Sequence, residues 1–253
     1  MSAEALGLGI IWPALVAGLL VAATHVPLGI EVLSRGIVFI DLAVAQIAGL
    51  GVVFADWLGF EAQGLAVQVS ALGAALGGAL LLNWTDRKWP EVQEAVIGVT
   101  FVLAANGAIL LLAANPHGPE HLKDLLVGQV LWVSPARLPL VAALSAAILA
   151  LWFGWRERIG RAGFYVLFAC AVTAAVQLVG LYLVFATLII PALATRAMPR
   201  WRIATGYAVA AAGYLAGLLL SLAFDLPAGP LVVCTMTLLA MPPFILLRPR
   251  QPA

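Results

Sequence analysis

Few side chains in this sequence can do chemistry, and those few are grouped. The densest group is Asn115-Pro-His117-Gly-Pro-Glu120-His121-Leu-Lys-Asp124, with two of the three histidines of the chain and two carboxylates. Imidazole and carboxylate together suit Zn²⁺, Mn²⁺ or Fe²⁺. Pro119 fits the first position of a helix, which would place Glu120, His121 and Asp124 in its first turns. His121 and Asp124 are three apart and share a face. The group reads as a metal-capturing mouth or gate, or else as a solvated loop with helix caps. His117-x-x-Glu120-His121 also matches an inverted zinc-protease string. That chemistry needs both histidines on one helix and a third ligand further along, and Gly118-Pro119 breaks the helix between them.

Asp41 is the second candidate, in the apolar stretch Ile37-Val-Phe-Ile-Asp41-Leu-Ala-Val-Ala-Gln46. An acid inside a membrane span is a functional hypothesis by default, because charge in hydrocarbon is costly. Gln46 lies five positions on, about 140° around a helix from Asp41, so both could border one interior cavity. The plainer alternative has Asp41 capping the helix or pairing with Arg35, and Gln46 joining two helices. Glu94 begins another apolar stretch, where the helix macrodipole favours a carboxylate. Gln68, Asn106 and Gln177 read as interhelical hydrogen-bonding amides. His25, just before Pro27, reads as an interfacial residue at the end of the first span. Cys170 and Cys234 fall inside apolar runs and read as buried free thiols.

These residues need elements to position them, and composition says which. Of 253 residues, 64% are apolar and 10% charged, and the mean hydropathy is +1.07. A soluble core of this size could not hide so much apolar side chain. Lys+Arg (13) nearly balances Asp+Glu (12), which argues against a nucleic-acid partner. The expected fold is therefore all-α: a polytopic transmembrane bundle of eight or nine spans, 1–253 forming a single transmembrane domain in contact with membrane lipid. The spans read as 5–24, 37–57, 62–83, 93–114, 138–155, 163–179, 181–197, 203–223 and 229–247. The segment 122–134 is too short to span and reads as a re-entrant or interfacial helix. The runs 163–179 and 181–197 hinge at Gly180. Met1-Ser-Ala-Glu-Ala lacks the basic residues of a signal peptide, so the first run reads as a true span. Basic residues alternate with acidic or neutral connections, which puts the N-terminus outside and the C-terminus in the cytoplasm. Gly73-Ala-Ala-Leu-Gly77 and Gly213-Tyr-Leu-Ala-Gly217 are small-xxx-small patterns that allow close helix approach.

Four segments in order carry a resemblance: Thr24-His-Val-Pro-Leu-Gly29, Arg35-Gly-Ile-Val-Phe-Ile-Asp41-Leu-Ala, Leu188-Ile-Ile-Pro191-Ala-Leu-Ala-Thr-Arg196 and Asp225-Leu-Pro-Ala-Gly-Pro230. The chain resembles, over about residues 5–247, the membrane permeases of ATP-binding-cassette importers for zinc, manganese and iron. The resemblance implies a permease in the cytoplasmic (inner) membrane, a homodimer or a paired subunit. It implies two partners, a cytoplasmic ABC ATPase and an extracytoplasmic metal-binding protein. The divalent metal ion would be the substrate, with no permanently bound cofactor. No Gly-x-x-x-x-Gly-Lys-Ser/Thr string occurs, so the chain is read as a transporter permease and not as the ATPase.

Two departures from the family pattern stand out. Members usually follow the second-span Asp with His four residues later, and the pair is thought to meet the metal. Asp41 matches, but position 45 is Ala and the nearest polar residue is Gln46. The set Asp41, Gln46, His117, Glu120, His121 and Asp124 is therefore the expected metal path. The cytoplasmic turn 156–162 is also shorter than in typical members, where a short helix docks on the ATPase. A secondary metal or cation carrier, or a channel, using Asp41 without an ATPase is the alternative reading.

Overall fold

The computed structural model describes residues 3–60, 64–112 and 130–246. Among them the chain is helical throughout, without a strand. The helices are α1 (Ala3–Arg35), α2 (Ile40–Trp57), α3 (Leu65–Lys88) and α4 (Gln93–Leu112). A helical run over Leu138–Val179 is then broken by non-helical backbone at Trp155 and Gly160. It divides into two apolar spans, α5 (Pro135–Trp155) and α6 (Arg158–Val179). After Gly180 come α7 (Leu181–Ala194), α8 (Arg202–Phe224) and α9 (Ala228–Leu246). Eight of these are long and apolar enough to cross a bilayer; α7, with 14 residues, is shorter. Large apolar side chains such as Leu65, Leu110 and Leu140 are 75–85% exposed, as a hydrocarbon-facing surface requires.

Most expected spans agree with these helices, and the differences have physical causes. The first span does not end at residue 24 but continues to Arg35. Pro27 leaves the Ala23 carbonyl without its helical donor, and the Tyr207 hydroxyl donates to that carbonyl at 2.8 Å. Glu31 and Arg35, four apart, pair at 2.8 Å in the last turn. The hinge at Gly180 is present: its φ of 85° is open to glycine, and it separates α6 from α7. In the segment 122–134, the described part holds a single 3₁₀ turn, Val130–Trp132, and not an α-helix; 122–129 lie outside the described residues.

The residues cluster into two compact units. The first comprises Met1–Arg35, Val127–Leu149 and Leu178–Ala253. Its centre is α7, packed by α1, α8 and α9, with Leu183, Val184, Thr187 and Leu188 among its buried residues. Thr187 donates to the Leu183 carbonyl at 2.7 Å, so its oxygen accepts from the buried Tyr214 hydroxyl at 2.9 Å. Gly29 of α1 lies so close to the Leu188 main chain that a Cβ would collide with it. Gly213 and Gly217 face Met236 and Val232 of α9 in the same manner, which bears out that small-residue pattern. Thr235 adds a 2.8 Å bond to the Gly213 carbonyl. Cys234, on α9, is exposed, against the expectation of a buried thiol; Cys170 is half-buried.

The second unit comprises Gly36–Leu126 and Ala150–Gln177. Here α2 packs on α3 and α4. Gly51 of α2 abuts Ser70, whose hydroxyl donates to the Gly51 carbonyl at 2.7 Å. Gly73 and Gly77 of the other small-residue pattern have open space around them, and the neighbouring Gly78 instead receives Ile47. The α3–α4 corner is tied by Gln93: its Oε1 accepts from Thr85 at 2.9 Å and its Nε2 donates to the Leu82 carbonyl at 2.9 Å. Lys88 sits over the rings of Trp84 and Trp89 there. Arg161 of α6 pairs with Asp86 at 3.1 Å, so one basic residue of the 156–162 turn is held against the end of α3.

Candidate functional site

The N-terminus of α2 is the first locus. Gly36, at φ 71°, ends the preceding helical conformation, and α2 starts at Ile40. Asp41 is then the second helical residue. A helix N-terminus leaves main-chain N–H groups unbonded and favours negative charge. One of those donors, the Phe39 N–H, meets Glu94 Oε1 of α4 at 3.3 Å. Glu94, expected to serve only its own helix, thus also caps α2. Its Oε2 is buried without a hydrogen-bond partner among the described residues.

Asp41 is wholly buried, and neither carboxylate oxygen has a hydrogen-bond partner among the described residues. Neither plain alternative for it is seen. No side chain caps α2 from within, and the ion pair of Arg35 is made to Glu31. Buried polar groups in native structures are nearly always bonded, so an orphaned carboxylate calls for a reason. Its chemistry suits a hard or borderline cation, or a proton, arriving from outside the chain.

Gln46 lies on α2 five residues after Asp41 and is half-buried. Ala45, four residues after Asp41 and on its face, is 3% exposed. Position 45 is thus an inward position that holds no ligand atom. His117, Glu120, His121 and Asp124 lie outside the described residues. Among the described residues no group of three or more His, Cys, Asp or Glu could hold a metal ion. Asn106 does not join two helices; it donates to the Val102 carbonyl of its own helix at 2.8 Å.

The second locus is His25, which sequence reasoning placed at an interface. It is fully buried in the middle of α1. Its Nδ1 is 3.0 Å from the Val21 carbonyl oxygen. A hydrogen bond to that carbonyl needs the proton on Nδ1, whereas one donated by the Thr24 hydroxyl would leave it on Nε2. Nε2 is buried and has no hydrogen-bond partner among the described residues. Thr24 Oγ1 lies 3.0 Å from the same Nδ1 and 3.1 Å from the same carbonyl, which fixes the ring further. The sequence did hold a signal for this. His25 stands in a long apolar run, and only the reading of the first span as ending at residue 24 moved it out to the surface.

The comparisons with known proteins follow this geometry. The ABC 3 transport family model matches residues 8–159 and 154–246. Among solved structures, PsaBC from Streptococcus pneumoniae in complex with Fab superposes with a TM-score of 0.77. It is 20% identical, over 95% of this chain and 93% of that one. An inward-facing conformation of an ABC transporter of proposed metal-chelate type gives 0.56, at 17% identity, over 93% of this chain and 75% of that one. At such identities the likeness is one of fold.

Proposed function

This chain belongs to the ABC 3 transport family, and we propose that it is the permease subunit of an importer for divalent transition-metal ions. The observation that carries this reading is Asp41, a wholly buried carboxylate with no hydrogen-bond partner among the described residues, at the N-terminus of a membrane-crossing helix. The metal-chelate type of one structural relative supports the substrate class. The permease works by alternating access in the cytoplasmic membrane, N-terminus outside and C-terminus inside, as the charge pattern supports.

An extracytoplasmic binding protein delivers the ion. His117, Glu120, His121 and Asp124 receive it at the outer mouth, with imidazole and carboxylate replacing water. Asp41 then compensates the charge of the ion within the bundle, where a cation without a counter-charge would be costly. Gln46 adds a neutral amide oxygen on the same helix. A separate cytoplasmic ATPase closes the inner side and drives the switch; the chain has no phosphate-binding loop string of its own. Two permease chains pair to complete the transporter.

The test is co-expression with a candidate ATPase subunit. The complex should co-purify, and its ATP hydrolysis in proteoliposomes should rise with Zn²⁺, Mn²⁺ or Fe²⁺ and binding protein. If vesicles holding this chain alone moved metal down a proton gradient, the secondary-carrier reading would replace it.

A further inference from the structure

We propose that the connection from α7 to α8 binds the phosphate of an anionic phospholipid through Arg196, Arg200 and Arg202, with Trp201 beside them. The site lies wholly within the first unit. It concerns membrane lipid and does not rest on the permease reading.

Three observations meet there. The first is charge without counter-charge. Three arginines fall within the stretch 196–202, and no Asp or Glu occurs between Glu157 and Asp225. Asp225 stands at the opposite end of the 23-residue helix α8. Glu31, on the neighbouring α1, is held by Arg35 at 2.8 Å. Among the described residues none of the three arginines forms an ion pair.

Second, Arg202 is the first residue of α8, and its Nε is buried without a hydrogen-bond partner among the described residues. A cation at a helix N-terminus works against the macrodipole, so helix stability does not account for it. A buried guanidinium N–H needs an acceptor. A phosphate offers paired oxygens that match the guanidinium fork.

Third, the surroundings are those of a membrane interface. Trp201 is 71% exposed at the entry of a membrane-crossing helix, and an indole there sits at headgroup level. From Trp201 the exposed face of α8 continues through Ala204, Ala208 and Leu215, at helical spacing and all apolar. The Arg196 guanidinium lies over the Phe244 ring of α9, 4.0 Å from its centroid. That contact uses the face of the guanidinium and leaves its N–H edge for an anion. An occupant must therefore carry an anion and apolar chains in one molecule. A free phosphate or an acidic protein surface lacks the chains, and a zwitterionic lipid cancels its own charge. An anionic phospholipid has both, and basic clusters at the ends of membrane helices suit such headgroups.

The test uses the full chain in neutral detergent, with bound lipid followed by native mass spectrometry. The probes are phosphatidylglycerol, phosphatidylcholine of the same chains, and inorganic phosphate. Phosphatidylglycerol should bind about tenfold more tightly than phosphatidylcholine. Arg200→Gln with Arg202→Gln should raise its dissociation constant about twentyfold, at about fivefold per arginine. Arg200→Lys with Arg202→Lys keeps the charge without the fork and should lose less than about fivefold. Arg87→Gln with Lys88→Gln removes two cations of the second unit and should change the affinity less than about twofold, because the attraction is local. Inorganic phosphate in large excess should not displace the lipid. Equal affinity for the two lipids on the unaltered chain overturns the site, even if the Gln pair fails to fold. So does an equal loss in the Arg87 and Lys88 pair. Displacement by inorganic phosphate would assign the arginines to a free anion instead. Unchanged lipid binding by the Gln pair, with loss of co-purification with an ATPase subunit, would assign them to a protein contact. The permease reading stands or falls by its own experiment in each case.

Discussion

Replacing Asp41 by Asn should make the protein more stable while it stops transport. The two side chains have nearly the same shape, so packing around α2 is kept while the buried charge is exchanged for a neutral amide with two N–H donors. Asp41 is 0% exposed and neither oxygen has a hydrogen-bond partner among the described residues. A buried polar group left unsatisfied costs about 1–3 kcal/mol, and more when charged. Removing the charge should therefore return about 1–3 kcal/mol. For a chain of this length each kcal/mol moves the midpoint of thermal unfolding by roughly 2–4 °C. The assay is a thermal scan of purified protein in detergent with a chelator present, so that bound metal does not stabilise the native form alone. The expected result is a midpoint several degrees higher in Asp41→Asn, together with uptake at background. Such a trade of stability for activity is common at functional sites. A midpoint several degrees lower would refute the reasoning, because it would mean that the carboxylate has a partner in the folded protein. Uptake near normal would remove Asp41 from the metal path whatever the midpoint did.

Two further outcomes follow from the packing and from the outer loop. Gly29→Ala drives a Cβ into the Leu188 main chain and should cost about 1–3 kcal/mol as overpacking, whereas Gly77→Ala, in open space, should be neutral or gain up to about 1 kcal/mol from helix propensity; thermal scans of the two variants side by side check the order. His117→Ala combined with His121→Ala should weaken uptake most at low metal concentration and little at saturation, and an unchanged concentration dependence would return these histidines to a solvated loop.

The membrane class was legible because nothing else accommodates so apolar a chain. Span positions were legible wherever an apolar run ended in charge, as at Arg87-Lys88 or Arg200–Arg202. They were misread before Pro27, where the first span was ended at residue 24 and the helix in fact runs to Arg35. A proline is a poor guide to a helix end inside a bundle, since a neighbour such as Tyr207 can take the freed carbonyl. That one misreading also displaced His25 from the interior to the surface. Asp41 could be picked out from sequence as an acid in an apolar run. Its lack of a partner could not, because that depends on where Arg35 and Glu94 point, and both turned to other groups. The small-residue patterns show the same limit. Gly213 and Gly217 meet α9, whereas Gly73 and Gly77 meet nothing and Gly78, one residue away, does the packing. Spacing gives a helix face; only the neighbour decides which face is used.

The shortness of α7 has a mechanical consequence. Fourteen residues rise about 21 Å, well short of the roughly 30 Å of hydrocarbon. Lipid therefore cannot set the depth of this helix by matching its length, and most of its surface is covered by protein in any case. Its depth is set by α1, α8 and α9, each of which is long enough to cross the bilayer itself. A thicker or thinner membrane would tilt those longer helices first. It would reach α7 only as a shear across the Thr187–Tyr214 hydrogen bond and the Gly29–Leu188 contact. Lipid chain length thus becomes a handle on the interior of the first unit, acting through protein contacts and not through solvation of α7.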